Sequence, residues 1–372
     1  MTAPEIKGWC PGAIRPMDSG DGLVVRVRAH GGRLSREQGR GIADLAARHG
    51  NGLIDLSARG NLQLRGIDVA GHAAVLAGLA ALGLIDADAA AEARRNILVT
   101  PFWQAGDGTQ DLALGLAEAL AATGLPLPGK FGFALDTGAV PVLRNASADI
   151  RIERQRDGTL CLRPDGTHLS TPVTPDNAIP AAMDLARWFV DTDGAQHGRG
   201  RMAAHLGAAP PAETHAAFPG ITPMGRLVAL PFGQMGADTL HALANLAPLR
   251  LTPWRMLLLE GIATMPALPG LITQAGDPLL RVVACTGAPA CRQGHAPVRD
   301  LARTLAAHVP VGQVLHVSGC AKGCAHPGPA DITLVAHADG FAFAHNARPC
   351  DADHLLTQAQ ILADPSLLMA PN

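Results

Sequence analysis

A chain of 372 residues with 48% hydrophobic and 17% charged side chains is long enough for two or three domains with ample core. Its net charge of −2 argues against a generic nucleic-acid binder, so any anion site must be built from locally placed arginines. No apolar run reaches membrane-spanning length, the opening MTAPEIKGWCPG has no apolar signal core, and seven cysteines are an odd number. The expectation is a cytoplasmic protein with no membrane partner and no disulfide framework.

Taken in order, GLVVRVRA (22–29) alternates as a strand and sets Arg26 and Arg28 on one face. SREQGRGIADLAARHG (35–50) reads as a helix: Ser35 and Gln38 form a capping box, Ile42, Leu45 and His49 lie along one face, and Gly50 stops it. LIDLSARGNLQLRGI (53–67) reads as the next strand, with Arg59, Asn61, Gln63 and Arg65 spaced by two and therefore on a shared face. ADIRIERQRDGTLCL (148–162) is a hairpin around Asp-Gly. HGRGRMAAHLG (197–207) and the proline-rich AAPPAETHAAFPG (208–220) form a linker. Beyond it, LLRVVAC (279–285) reads as a buried strand, APVRDLARTLAAHV (296–309) as a helix and QVLHVSGC (313–320) as another strand. A second Asp-Gly hairpin follows at Asp339-Gly340.

The chain repeats itself. Residues 54–67 align without gaps on LRLTPWRMLLLEGI (249–262), and GIADLA (41–46) resembles ALANLA (242–247). The first hairpin matches ADITLVAHADGFAFA (330–344), which gives an A–B–A–B order and an α+β fold with mixed sheets. Where two copies share structural residues, their differences point to function. The face carrying Arg59, Asn61, Gln63 and Arg65 becomes Trp254, Met256, Leu258 and Glu260 in the second copy. A solvated sheet face would look polar in both copies, so the first copy is expected to face a polar cavity. Two adjacent arginine-bearing strands would make a carboxylate-binding wall.

The cysteines differ in the other direction. Cys285 and Cys291 (C-x5-C) and Cys320 and Cys324 (C-x3-C) occur in the second B unit alone, against Val99, Ala105, Gly138 and Val142 in the first. Four thiolates suit zinc or an iron–sulfur cluster. The five-residue spacer fits a zinc knuckle poorly, and Gly287, Gly319 and Gly323 leave room for a larger group. Cys161 reads as core, Cys350 as incidental, and Cys10 stays open. His326, two residues past Cys324, reads as a loop histidine rather than a ligand.

These stretches resemble the sirohaem nitrite and sulfite reductases, and the likeness covers nearly the whole chain. CTGAPAC and SGCAKGCAHP are similar to that superfamily's cluster signature, which implies a [4Fe-4S] cluster on Cys285, Cys291, Cys320 and Cys324, with Cys324 nearest the macrocycle. LVVRVRAHGG, SARGNLQLRG and RRNI resemble its tetrapyrrole-binding stretches, implying roles for Arg26, Arg59, Asn61, Gln63, Arg65, Arg95 and Asn96, and Arg28 joins these candidates through the strand face it shares with Arg26. The implied architecture is duplicated ferredoxin-like half-domains (1–80 and 221–275), a linker (196–220), and duplicated mixed-sheet domains about a pseudo-twofold. Of the latter, 81–195 would be the tetrapyrrole-binding copy and 276–372 the cluster copy.

LPGKFGFALD is similar to the reductases' Leu-Pro-Arg-Lys-Phe-Lys segment and implies a catalytic Lys130, but Gly129 and Gly132 replace two of its three cations. Reducing an oxyanion needs that positive charge. The branch that makes precorrin-3B resembles this chain more closely, through KGWCPGAIRPMDSGDGLVVRVR and its compact length. That resemblance implies precorrin-3A and dioxygen as substrates, with hydroxylation between rings D and A and closure of a ring-A acetate γ-lactone. It also admits a mononuclear non-haem iron. No Gly-x-Gly-x-x-Gly lies between a strand and a helix, so NADH enters as an indirect electron source through a donor protein or reductase. The alternative is a sulfite or nitrite reductase with resident sirohaem.

Overall fold

The computed structural model describes residues 10–208 and 217–368. Most of the proline-rich linker stretch, at 209–216, lies outside the described residues.

The first ferredoxin-like sheet runs Met17–Ser19, Gly22–Val27, Leu62–Ile67, Leu53–Leu56 and then Gln234–Gly236. The second runs Gly220–Thr222, Gly225–Ala229, Met256–Glu260, Leu249–Leu251 and then Arg33–Leu34. Each sheet thus takes its last strand from the other copy, antiparallel in both cases: Gln234 pairs with Asp55, and Arg33 with Arg250. The helices Arg36–His49 and Ala237–Leu246 pack together beneath the two sheets. Gly39 permits their close approach, since a Cβ there would stand 2.7 Å from that of Ala244. Ile42, Leu62, Leu240 and Leu257, all fully buried, belong to one core shared by both copies. The capping box forms as expected, with Ser35 Oγ accepting from the Gln38 N–H, and Gly50 caps the helix.

The expected strand over 53–67 is in fact a hairpin. Ile54 pairs with Leu64 and Leu56 with Leu62, and the turn lies between. Ser57 Oγ accepts from the N–H groups of Arg59 and Asn61, and Gly60 takes a left-handed φ of 62°. A serine able to satisfy turn amides breaks the alternation, so Arg59 and Asn61 do not continue the face of Gln63 and Arg65. The second copy repeats this hairpin, with Leu249 on Leu259. The gapless alignment of the two stretches is therefore also their structural register.

The other two sheets are likewise copies. One runs Ile97–Val99, Phe133–Asp136, Ile150–Arg154, Leu160–Pro164 and Thr171–Pro172. Its counterpart runs Val282–Ala284, Leu315–Ser318, Ala330–His337, Gly340–Ala347 and His354–Leu356. In both, three parallel strands are followed by two antiparallel ones. The register corrects part of the cysteine comparison. Ile97 pairs with Phe133 as Val282 pairs with Leu315, so Cys285 answers to Thr100 and Cys291 to Gly106, one place beyond Val99 and Ala105.

Candidate active site

A cleft of about 600 Å³ opens where the first ferredoxin-like sheet meets the fourth sheet. Cys285, Cys291, Cys320 and Cys324 all line it, together with Arg26, Arg59, Gln63, Arg65 and Lys130. Its volume falls in the usual range for a small-molecule site.

One side is a row of side chains across the sheet. Arg26, Gln63, Asp55 and Gln234 are successive cross-strand partners. Arg26 donates to Gln63 Oε1 at 2.8 Å, and Gln234 donates to Asp55 Oδ1 at 2.8 Å. Arg26 is 8% exposed, its Nε has no partner among the described residues, and burial pushes its pKa down, partly offset by the Cys10 thiol beside it. Arg59 reaches in from the turn and donates to Ser147 Oγ at 3.3 Å; burial lowers its pKa too. Among the described residues, Arg26, Arg59, Arg255 and Lys130 have no carboxylate within ion-pair distance. Buried or half-buried guanidinium groups in this state are suited to capturing carboxylates from a ligand.

Arg65 lines the same cleft but is already engaged. It pairs with Asp21 at 2.7 Å and Asp55 at 3.4 Å, and donates to the Ala290 carbonyl at 3.0 Å. Ser19 Oγ and the Gly20 N–H donate to that same carbonyl, at 2.7 and 3.1 Å, so three donors fix the loop just before Cys291.

The structure does not bring the other four expected binding residues to the cleft. Arg28 is 3% exposed and bonded to Glu92 at 2.8 Å, with burial and the nearby Arg26 lowering its pKa to about 10. Arg95 forms a two-pronged pair with Asp86, at 2.7 and 2.8 Å. Asn61 joins Arg28 and Arg95 at a separate small pocket, because the Ser57 turn carries it away from Gln63. Asn96 Nδ2 donates to the carbonyls of Ala93, Gly129 and Phe131 at 3.0, 3.3 and 3.1 Å, and so pins the loop that presents Lys130. The side chains of Arg28, Arg95 and Asn96 are thus engaged in internal pairing. An alternating pattern cannot distinguish such residues from ligand contacts.

The four cysteines come from the ends of Val282–Ala284 and Leu315–Ser318 and the loops that follow. Burial raises the Cys320 and Cys324 thiols, and each feels the charge of Cys285 and Cys291, which places the set within electrostatic reach of itself. Among the described residues, no three His, Cys, Asp or Glu side chains stand close enough to hold one metal ion. The donor set of the four cysteines is all sulfur. Gly319 donates from N–H to Cys285 Sγ at 3.0 Å, and a Cβ on it would lie 3.0 Å from Gly287 Cα and 3.4 Å from Gly294 Cα. Glycine backbone thus packs closely around Cys285, where a larger residue would crowd its sulfur. His326 bonds the Pro329 carbonyl at 3.0 Å, as a loop histidine would.

Several cleft residues carried no signal in the alternation pattern. Cys10 faces Arg26 and Arg59. Arg201, from the linker, is anchored on Asp149 at 2.9 Å. Arg299, at the start of its helix, bonds Asp55 at 3.3 Å and the Cys285 carbonyl at 3.2 Å. Arg255 occupies the place of Gly60 in the aligned copy, a difference present in the sequence itself. The corresponding space between the second ferredoxin-like sheet and the third sheet is filled. Met256 and Leu258 pack there against Trp254 and Phe102, whose rings stack at 6.1 Å.

Residues 15–82 match the family model of the nitrite/sulfite reductase ferredoxin-like half domain. A precorrin-3B synthase from Sinorhizobium sp is 28% identical over 387 residues, an alignment spanning 91% of this chain and 83% of that protein. Among solved structures, the Mycobacterium tuberculosis NirA protein matches with a TM-score of 0.63 and 18% identity, over 92% of this chain and 79% of NirA. No described helix is long and apolar enough to cross a membrane. In fold the chain is similar to NirA, with a nitrite/sulfite reductase ferredoxin-like half domain at residues 15–82, and in sequence it is similar to a precorrin-3B synthase.

Proposed function

We propose that this chain is an oxidoreductase that converts precorrin-3A into precorrin-3B with dioxygen. One oxygen atom enters the macrocycle and a ring-A acetate closes the lactone; the second leaves as water, with two electrons and two protons supplied. The relation to precorrin-3B synthase supports this reading. One structural observation carries it: a single cleft joins four thiols to Arg26 and Arg59, cations with no carboxylate of the described residues within ion-pair distance. A many-carboxylate macrocycle suits such a wall.

Cys285, Cys291, Cys320 and Cys324 would hold a [4Fe-4S] cluster, and their all-sulfur arrangement, with glycine backbone close around Cys285, fits it. When bound, that group supplies electrons one at a time. Arg26, oriented by Gln63, and Arg59 would grip substrate carboxylates. Lys130, exposed at the rim, would hold a proton near an outlying carboxylate or the reacting edge. Against a sulfite or nitrite reductase stand Gly129 and Gly132. Neither glycine has a side chain, so neither position brings a cation to the cleft.

The test is anaerobic incubation of the purified protein with precorrin-3A, then oxygen and a reductant. Mass analysis should find one incorporated oxygen atom and the lactone. A resident sirohaem band in the protein as purified, with no oxygen incorporated, would reject the proposal.

A further inference from the structure

The strand registers give each turn residue of one ferredoxin-like copy a counterpart in the other. Arg33 on Arg250 answers to Gln234 on Asp55, so Gly31 corresponds to Phe232. Ile54 on Leu64 answers to Leu249 on Leu259, so Gly60 corresponds to Arg255. The backbone conformations are the same: φ 58° and ψ 15° at Gly31 against 57° and 15° at Phe232, and φ 62° at Gly60 against 59° at Arg255. The first copy puts glycine at both left-handed positions, and the second puts large side chains there.

Five non-glycine residues among those described have positive φ. Asp193, His197 and Asn346 are types that enter this region readily. Phe232 and Arg255 are not, and both line the cleft with the four cysteines. Backbone strain is kept where the surrounding structure needs the side chain it delivers. Arg255 Nη2 donates to the carbonyl of Ala325, next to Cys324, at 2.9 Å. Gly233 leaves room beneath it, since a Cβ there would lie 2.8 Å from that of Arg255. No carboxylate of the described residues lies within ion-pair distance of its guanidinium.

We infer that Arg255 is a positioning residue of the cysteine cradle: from a left-handed turn, its guanidinium holds the Cys324 loop and sets a fixed positive charge beside the cluster. The inference rests on the reading that the four cysteines carry [4Fe-4S]. Such a group gains one negative charge on reduction, so a neighbouring cation in a partly desolvated setting favours the reduced form. Arg255 thereby makes electron uptake easier at the edge of the substrate cleft.

The experiment uses the full-length holoprotein, with iron and acid-labile sulfide assayed and the midpoint potential followed by electron paramagnetic resonance. Arg255→Gln and Arg255→Gly should keep their iron and sulfide. Their reduced-to-oxidised ratio at fixed potential should fall about tenfold, which is about 59 mV for a one-electron couple. Arg255→Lys should stay close to the parent. Arg255→Gly should also melt at a higher temperature than Arg255→Gln, because glycine releases the turn. A parent-like potential in the Gln variant overturns the inference, and so does loss of iron from both the Gln and the Gly variant, which would leave only a loop clamp. A parent protein lacking iron and sulfide would reject the cofactor reading itself, before Arg255 is changed.

Discussion

Arg28 and Glu92 meet at 2.8 Å with side chains only 3% and 5% exposed, and the carboxylate also accepts the N–H groups of Ala13 and Ile14 at 2.5 and 3.1 Å. One buried acid thus neutralises a buried arginine and holds the loop that carries Cys10 against the strand of Arg26.

Glu92→Ala should therefore destabilise the protein by about 3–5 kcal/mol, since it strands a buried guanidinium and two amides. Urea unfolding measures this, and a loss below about 1 kcal/mol would contradict the assignment. Cys10 should at the same time react faster with a thiol reagent, because its loop loses its anchor.

Arg59→Ala should weaken tetrapyrrole binding by about 1.5–3 kcal/mol, the scale of a hydrogen bond to a charged group. Absorbance titration at two salt concentrations should also show a shallower salt dependence than the parent. Arg95→Ala provides the contrast. It breaks the Asp86 pair away from the cleft and should lower thermal stability more than affinity.

Cys324→Ala should lose bound iron and sulfide while keeping its circular dichroism. Cys161→Ala removes a thiol that is 2% exposed in a strand of the third sheet, and should keep both. Equal metal content in the two variants would remove Cys324 from the ligand set.

Asp136 should leave a pH signature. Burial raises its pKa to about 6, although the N–H groups of Leu143 and Val142 donate to it. The folded state therefore binds its proton more tightly than the unfolded chain. This contribution to stability is fully present below about pH 4, the ordinary carboxylate pKa, and is lost as pH rises through about 6. At pH 7 the burden is about 2–3 kcal/mol. Asp136→Asn, which keeps an acceptor for the two amides, should flatten the melting temperature between pH 4 and 7. An unchanged profile would refute the shift.

Much of this could be read from the chain alone, for identifiable reasons. The duplication, both Asp-Gly hairpins, the Ser35 cap and the confinement of four cysteines to one copy are local patterns, and local patterns survive folding. The split of residues 53–67 at Ser57 was hidden because its flanks alternate like one strand. Arg28, Arg95 and Asn96 share residue type and spacing with ligand-binding positions, yet Glu92, Asp86 and three backbone carbonyls engage their side chains, while Asn61 is displaced by the turn in which Ser57 accepts its backbone N–H. Arg201 and Arg299 reach the cleft only through tertiary folding. Arg255 is different: its alignment with a glycine was a visible signal, and its meaning depended on the φ that both share.

The exchanged edge strands bear on how such a molecule came to exist. An ancestor of one copy would have lacked a partner for its own Arg33–Leu34 segment unless a second chain lent and borrowed in return. It would have been a homodimer with two equivalent clefts. Fusion into one polypeptide freed the clefts to diverge, one plugged by Phe102 and Trp254 and the other given cysteines and Arg255. The same exchange means that severing the linker yields two fragments, each with an unpaired sheet edge, which must find each other to become soluble.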